Sequence, residues 1–332
     1  MRINVYFTPA HRALAQLLVC AALAFSQTRT PGEQAPTSDS VRVPIGQVNL
    51  LCTVQDPSGI YVNNLSQEDF VALEDGQPQP ITHFERQTDQ ALTVALLLDV
   101  SFSMDTSLSA ETDNARQFFR RILRPGDRAM LAGFAAAVNF WQPVTSSRQE
   151  LEETFDEIPE VVEALRKERM PLKSMVRTSG GLLIRSGGDG GSLFYDALDM
   201  VSIRQLRHLS GRKAIIALTD GEDDGSERTL KDAVRSTLQA NAVFFGIDTK
   251  EQTGVGMDIL KELSWQTGGS AFYIDNHTTL DAALRAAEEQ LHSQYAIEYA
   301  PPDNSTKGNF HKTEVRVNKP GVTVRVRSGY YR

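Results

Sequence analysis

Apolar and polar positions follow one pattern through the middle of the chain and another at its ends. In the middle, short apolar runs alternate with segments of helical periodicity. The clearest runs are LTVALLL at 92–98 and KAIIALT at 213–219. They are too short to cross a membrane and suit strands buried on both faces of a parallel sheet. This alternation predicts an α/β fold with a doubly wound, mainly parallel sheet.

The other elements of the middle region follow from the same pattern. We expect further strands at 129–134, 137–144, 242–248 and 270–275, and helices at 111–123, 148–168, 193–209, 227–240, 258–266 and 279–293. Thr278 with Asp281 resembles a capping box for the last helix. Residues 160–191 are expected to form an extended loop before Ser192. That loop is either a lid or part of the ligand surface, or a flexible, solvent-exposed insertion.

Both ends of this region are flanked by short alternating runs typical of β-strands. They lie at 48–54, 60–62 and 70–76 before it and at 295–301, 312–318 and 323–331 after it. Neither flanking piece would bury much surface alone. We therefore predict one small β-sandwich-like module built from residues 41–90 and 295–332, with the α/β domain, 91–294, inserted between them. Two separate terminal extensions are the alternative.

The first 26 residues have the composition of a secretory signal peptide. They carry Arg2 and Arg12 but no acidic residue, then an apolar run that ends in Ala24-Phe25-Ser26. We predict a signal peptide at 1–26 and export to the periplasm, the cell envelope or the medium, with no membrane span after cleavage. A buried N-terminal helix is the alternative, and Val19 disfavours a lipid anchor on Cys20. The polar residues 27–40 are predicted to be a flexible linker.

Composition excludes several classes of protein. The 332 residues are 41% hydrophobic and carry a net charge of −8, which becomes −10 once the two N-terminal arginines are removed. A chain this acidic is a poor candidate for nucleic-acid binding, which needs clustered Lys and Arg. Cys20 and Cys52 are too few for a zinc ribbon, and cleavage leaves Cys52 alone, without an intramolecular disulfide.

Oxygen-bearing side chains follow the two most apolar strands. Asp99, Ser101 and Ser103 come directly after the first, and Asp220 follows the second. Parallel strands bring their carboxyl ends to one edge of the sheet, where open α/β sheets bind ligands. Between them in sequence, a glycine-rich stretch at 187–191 leads to Ser192. A set of carboxylates and hydroxyls without His or Cys suits a hard divalent cation, so we predict a Mg²⁺ (or Mn²⁺) site.

These residues resemble the metal-ion-dependent adhesion site (MIDAS) of von Willebrand factor type A (VWA) domains. The match comprises Asp99, Ser101, Ser103, Ser192 and Asp220. The resemblance implies direct metal contacts from the three hydroxyls, aspartates that often act through water, and an open position that a ligand carboxylate fills. Ser192 stands where most members carry Thr, which keeps the hydroxyl. The flanking segments LSQEDFVALEDG and VRSGYY resemble a bacterial family of exported VWA-related proteins.

Other residues near this motif have more than one interpretation. Candidates for the rim of the ligand site are Phe102, Asp105, Gly191, Gly221 and Glu222. Asp99 and Asp220 are alternatively simple strand-end caps, and Asp196 is expected to be a structural hydrogen-bonding group. The acidic run 222–224 is expected to be a solvated loop. The six histidines show no metal-ligand spacing.

The motifs of common enzymes are absent from the sequence. It has no G-x-S-x-G nucleophile elbow and no phosphate-binding loop, and Ser101 occupies the place where a phosphatase would need a second carboxylate. We therefore predict a non-enzymatic, exported, adhesion-type module that docks a carboxylate of a protein partner on its metal. An envelope scaffold with a purely structural metal is the alternative, and a hydrolase is less favoured. The sequence leaves the oligomeric state open.

Overall fold

A computed structural model describes residues 46–86, 90–101, 108–167, 176–178, 181–184, 191–249, 254–275, 278–301 and 308–332. The predicted signal peptide and linker lie outside these residues. The strands are β1 (Val48–Gln55), β2 (Phe70–Glu74), β3 (Gln77–Gln79), β4 (Ile81–Arg86), β5 (Leu92–Asp99), β6 (Arg128–Phe134), β7 (Val138–Thr145), β8 (Val176–Thr178), β9 (Gly181–Ile184), β10 (Arg212–Leu218), β11 (Val243–Asp248), β12 (Ala271–Tyr273), β13 (Tyr295–Tyr299), β14 (Phe310–Val317), β15 (Thr323–Val326) and β16 (Gly329–Tyr331). The helices are α1 (Leu108–Ile122), α2 (Arg148–Lys167), α3 (Phe194–Met200), α4 (Leu230–Gln239), α5 (Val255–Thr267) and α6 (Leu280–His292).

The main sheet has eight strands in the order β12-β11-β10-β5-β6-β7-β9-β8. The first five are parallel to one another, whereas β7, β9 and β8 pair antiparallel at one side. The two most apolar strands, β5 and β10, lie next to each other in the centre. All eight side chains of β5 are buried, as a strand covered on both faces requires.

Helices cover both faces of this sheet. Alternate residues of β5 point to opposite faces, so Leu96 packs in one core and Leu97 in the other. The first core is closed by α1, α2 and α6, and the second by α3, α4 and α5. The predicted doubly wound α/β fold is confirmed.

Strands from the two ends of the chain form two further sheets. One has the order β15-β1-β13-β4 and the other β16-β14-β2-β3, both antiparallel. Their inward side chains share a third core that includes Leu50, Phe70, Tyr295 and Val315. The α/β part therefore connects strands that pair with each other, as the fold-class prediction requires.

Three local predictions differ from the structure in detail. The run 323–331 is two strands in different sheets, because β15 pairs with β1 and β16 pairs with β14. Between them, the backbone N–H of Ser328 donates to the carbonyl of Gln266. The cap of α6 is Thr279, whose hydroxyl accepts the N–H of Ala282. The predicted helix 193–209 is helical from Phe194 to Leu206, but it changes from the α-helix α3 to a π-helix at Val201.

The expected loop 160–191 was also wrong in its described parts. Helix α2 continues to Lys167, and two short strands, β8 and β9, extend the main sheet beyond β7. Neither strand has the long alternating pattern that would mark it in the sequence. Within the described residues, no helix has both the length and the apolar content that crossing a bilayer requires.

Candidate metal centre

The register of β5 and β10 brings the two predicted aspartates to one edge of the sheet. The strands pair in parallel up to Leu98 opposite Leu218. Asp99 ends β5, and Asp220 follows β10 by two residues. Asp99 is only 1% exposed, whereas Asp220 is half-buried. The carboxyl end of the sheet therefore places a buried carboxylate beside a more accessible one.

Neighbouring groups hold the Asp99 carboxylate in a fixed orientation. One oxygen accepts the backbone N–H of Ser101 at 3.0 Å, and the other accepts the hydroxyl of Thr219 at 2.8 Å. Burial raises the pKa of the Asp99 carboxyl above its ordinary value, the hydrogen bonds from Ser101 and Thr219 oppose the shift, and the negative charge of Asp220 adds to it. A cation at this point would stabilise the charged form that burial disfavours.

Thr219 is a functional candidate that the sequence reasoning did not single out. Its side chain is fully buried, and its hydroxyl accepts the N–H of Gly221 at 3.1 Å while donating to Asp99. One hydroxyl thus joins the ends of β5 and β10 and fixes the turn that carries Asp220. The signal was present, because Thr219 opens the T-D-G run, but its partner lies 120 residues away.

Ser192 lies in the loop before α3, close to the end of β6. The N–H of Leu193 donates to the carbonyl of Ala135 just beyond that strand, and the carbonyl of Ser192 accepts the N–H of Gly225. The Oγ of Ser192 is buried and has no hydrogen-bond partner among the described residues. A buried hydroxyl is normally paired, so this atom is suited to an additional ligand.

The acidic run after Asp220 organises this loop, which corrects the expectation that residues 222–224 are merely solvated. Asp224 accepts the N–H of Ser192 at 2.5 Å, and Asp223 accepts the N–H of Tyr195 at 2.8 Å. The hydroxyl of Ser226 accepts the N–H of Asp196 and donates to Asp223. Side chains from a distant loop therefore cap the first turn of α3.

Asp196 has the structural role that the sequence suggested. It is 5% exposed and accepts the backbone N–H groups of Glu227 and Arg228 at 3.2 and 3.0 Å. The loop after Asp220 and the start of α3 thus cap each other reciprocally. This reciprocal arrangement positions Ser192 relative to Asp220.

Glycine allows α5 to approach the loop that carries Asp220. A Cβ atom on Gly256 would lie 1.9 Å from the carbonyl oxygen of Asp220. Gly221 has a φ of +78°, which favours glycine, and a Cβ there would lie 2.4 Å from the carbonyl oxygen of Gly256. The two backbones are therefore in contact, and the first turn of α5 supports the metal-binding edge.

The structure describes only some of the predicted site residues. Asp99, Ser101, Ser192 and Asp220 lie at the carboxyl end of the main sheet, whereas Ser103, Phe102 and Asp105 lie outside the described residues. Of the other rim candidates, Glu222 is exposed, Gly191 is half-buried and Gly221 is buried. A Cβ on Gly191 would lie 2.3 Å from the Asp224 carboxylate, so glycine is needed there for the contact that holds the Ser192 loop.

The described groups fit a hard divalent cation. Each offers oxygen, and two are carboxylates whose proximity disfavours two negative charges without a counter-ion. The unpaired Oγ of Ser192 supplies a further oxygen donor. Asp99, Asp220, Ser101 and Ser192 are thus suited to holding Mg²⁺ or Mn²⁺.

Comparisons with known proteins concern the fold. No protein-family model and no curated protein matches the chain. One similar structure is that of the conserved hypothetical protein BatB from Bacteroides thetaiotaomicron, which is 16% identical in sequence. The match covers 60% of this chain and 97% of BatB, with a TM-score of 0.44. The von Willebrand factor type A protein from Catenulispora acidiphila is 12% identical, with 87% and 75% coverage and a TM-score of 0.44.

The fold resembles that of VWA domains. Proximal thread matrix protein 1 from the mussel byssus, with a zinc-occupied MIDAS motif, is another similar structure. It is 12% identical in sequence. The match covers 66% of this chain and 49% of the mussel protein, with a TM-score of 0.47. The chain therefore spans about half the length of the mussel protein. The similar structures thus include a von Willebrand factor type A protein, the family that the sequence motif resembles, and the zinc belongs to the mussel protein.

Proposed function

We propose that this chain is an exported, divalent-metal-dependent protein-binding module. It docks a carboxylate of a protein partner on a Mg²⁺ (or Mn²⁺) ion held at the edge where β5 and β10 end. The observation that carries the proposal is the buried carboxylate of Asp99 beside Asp220, together with the buried Oγ of Ser192, which lacks a partner among the described residues.

The residues at this edge bind and orient the ion. Asp99, Asp220, Ser101 and Ser192 supply oxygens, and the sequence adds Ser103. When bound, the ion supplies positive charge and a coordination position for an anionic oxygen. Thr219 holds Asp99, and Asp224 holds the backbone of Ser192.

A carboxylate is the ligand group that suits this edge. Serine hydroxyls bring no charge, so no more than two negative charges of the described donor set surround a doubly charged ion. An open coordination position on that ion attracts an anionic oxygen and repels a cationic group. The half-buried Ser101 and Asp220 and the exposed Glu222 leave this edge accessible to a partner. The signal-like composition of residues 1–26 supports the proposed export.

Capture of partners with and without chelator tests the proposal. The immobilised chain is incubated with envelope extract of the source cells in Mg²⁺, in EDTA, and in EDTA followed by excess Mg²⁺. We expect capture in Mg²⁺, loss in EDTA and recovery on adding Mg²⁺ back. Ser192→Ala and Asp99→Asn should abolish capture. Glu157→Gln, which removes an exposed carboxylate of α2, should not.

The envelope-scaffold alternative makes the opposite prediction. If the metal only stabilises the fold, capture persists in EDTA at temperatures where the chain stays folded, and Ser192→Ala captures normally. Competition by free acetate or glutarate separates carboxylate docking from other metal-dependent contacts. Capture that these anions leave unchanged contradicts carboxylate docking.

A further inference from the structure

A second group of side chains that could bind a metal lies in the β module, on strands that flank the α/β part. Glu74 and Asp75 stand at the end of β2, and His311 is on the neighbouring strand β14. One potential ligand atom from each of the three residues lies within 4.8 Å of the other two. The Nδ1 of His311 is 2.9 Å from an Asp75 oxygen and 3.7 Å from a Glu74 oxygen.

Burial distinguishes this cluster from an ordinary surface ion pair. Glu74 is 3% exposed and His311 is 8% exposed, whereas Asp75 faces solvent. The Nε2 of His311 is buried without a hydrogen-bond partner among the described residues. The polar contacts described for the imidazole are therefore made by Nδ1, on the side of the two carboxylates.

The cluster has more carboxylates than cationic partners in direct contact. Two carboxylates face one imidazole, and no ion pair is described between Glu74 and the buried, charged guanidinium of Arg327. Arg327 lies over the ring of Tyr330 and donates its hydrogen bonds to Asn241 and to the carbonyl of Asn49. Glu74 instead accepts the phenol hydroxyl of Tyr330 at 3.0 Å. A buried carboxylate normally requires a compensating charge, and a divalent ion would balance both acids.

The distances suit a small transition-metal ion. Zinc binds nitrogen and carboxylate oxygen at about 2.0–2.2 Å, so ligand atoms around a tetrahedral ion are separated by roughly 3.3–3.6 Å. The 3.7 Å between Nδ1 of His311 and Glu74 lies close to this value. The 2.9 Å contact between Nδ1 and Asp75 is a hydrogen bond, which would lengthen by about 0.4–0.7 Å to admit the ion. A ligand set that includes imidazole favours zinc over the hard ions Mg²⁺ and Ca²⁺.

We propose that Glu74, Asp75 and His311 form a second metal site, which binds a divalent transition-metal ion of the zinc class. Two further contacts orient its ligands. The hydroxyl of Tyr330 bonds the second oxygen of Glu74, and the N–H of Lys312 bonds the second oxygen of Asp75 at 2.9 Å. The exposed side of Asp75 leaves room for water as a fourth ligand. The ion would join the ends of β2 and β14.

Zinc binding to the full chain tests this site. The background is Cys20→Ser, because Cys52 is already buried. Zinc affinity is measured by competition with a chromophoric chelator, and Co²⁺ absorption reports the coordination geometry. We expect an intense, tetrahedral-type Co²⁺ spectrum that His311→Gln and Asp75→Asn remove, with zinc affinity at this site reduced at least tenfold. Asp75→Asn changes an exposed side chain, so this variant is expected to fold even if His311→Gln does not.

Two control variants make the result decisive. His83 also lies beside a carboxylate, with its Nε2 3.5 Å from Glu85, but both side chains are exposed and form only a pair. His83→Gln should therefore leave the Co²⁺ spectrum and the zinc affinity unchanged. Asp99→Ala should also leave them unchanged, which separates this site from the proposed adhesion site. Equal zinc affinity in the parent chain and Asp75→Asn would reduce the cluster to a structural ion pair and overturn the proposal.

Discussion

At the scale of single residues, the candidate metal centre depends on groups that hold the ligands as much as on the ligands themselves. Asp99 and Asp220 were predictable because they follow apolar strands, and Ser192 because a glycine-rich stretch leads to it between them. The supporting contacts were not, since they join residues far apart in sequence. The bond from Asp224 to the N–H of Ser192 spans 32 positions, and the contact of Asp75 with Lys312 spans 237.

Thr219→Val tests the role of a supporting hydroxyl. Valine keeps the shape of the side chain but loses both hydrogen bonds, which frees one oxygen of Asp99 and the N–H of Gly221. We expect Mg²⁺ affinity to fall by about 10–100-fold, the usual cost of losing a contact that orients a metal ligand. Isothermal titration with Mg²⁺ measures the change.

Thr237→Val is the matched control for this change. Thr237 is also fully buried, but its hydroxyl donates to the carbonyl of Ala233 within α4, away from Asp99. Loss of the Thr237 hydroxyl should lower the free energy of unfolding and leave Mg²⁺ affinity unchanged. Equal Mg²⁺ affinities in Thr219→Val and the parent chain would show that Thr219 does not position the ligand.

At the scale of elements, hydrophobic periodicity located most strands and helices of the α/β part. It failed where an element is short or its end is set by a distant contact. Strands β8 and β9 have three and four residues, too few to show alternation. The chain passes from the sheet of β15 to that of β16 at Ser328, whose N–H donates to Gln266 in α5, and the local sequence reveals neither strand's partner.

The close packing of α5 against the loop after β10 gives a prediction at this scale. In Gly256→Ala the added methyl group meets the carbonyl oxygen of Asp220, so α5 must move away from the metal-binding edge. We expect a loss of about 1–3 kcal/mol in the free energy of unfolding, typical of overpacking, together with weaker Mg²⁺ binding. Urea unfolding and Mg²⁺ titration measure the two effects.

Gly254→Ala provides the comparison within the same helix. Gly254 caps α5, has an extended φ of −172°, and a Cβ there would meet nothing within 4 Å. This variant should retain the parent stability within about 0.5 kcal/mol and the parent Mg²⁺ affinity. If both glycine variants behave alike, the contact between Gly256 and Asp220 does not support the site.

At the scale of the whole molecule, strand pairing and buried polar contacts connect the β module to the α/β part. Arg327 follows β15 and donates to Asn241, in the turn before β11, and to the carbonyl of Asn49 on β1. Burial lowers the pKa of Arg327 to about 10, so the guanidinium remains charged at neutral pH. One buried, charged side chain therefore contacts both the β module and the α/β part.

The sequence predicted this architecture because neither terminal set of strands was large enough to fold alone. It did not predict the polar groups buried inside the β module. Glu74 and His311 lie on strands from opposite ends of the chain, and their proximity depends on the pairing of β2 with β14. Sequence spacing between histidines cannot reveal a cluster assembled in this way.

The central claim is that the edge formed by β5 and β10 binds a divalent ion, and the effect of Mg²⁺ on thermal unfolding tests it most directly. The full chain is treated with chelator, and its unfolding temperature is measured over a range of Mg²⁺ concentrations. Mg²⁺ is a hard ion, which the histidine-containing cluster disfavours. Because a ligand that binds only the folded state raises the unfolding temperature, we predict an increase that grows with the logarithm of Mg²⁺ concentration. The increase should disappear in Asp99→Ala, shrink in Ser192→Ala and persist in Glu157→Gln. An absent increase in the parent chain, or an equal increase in Asp99→Ala, would contradict the account.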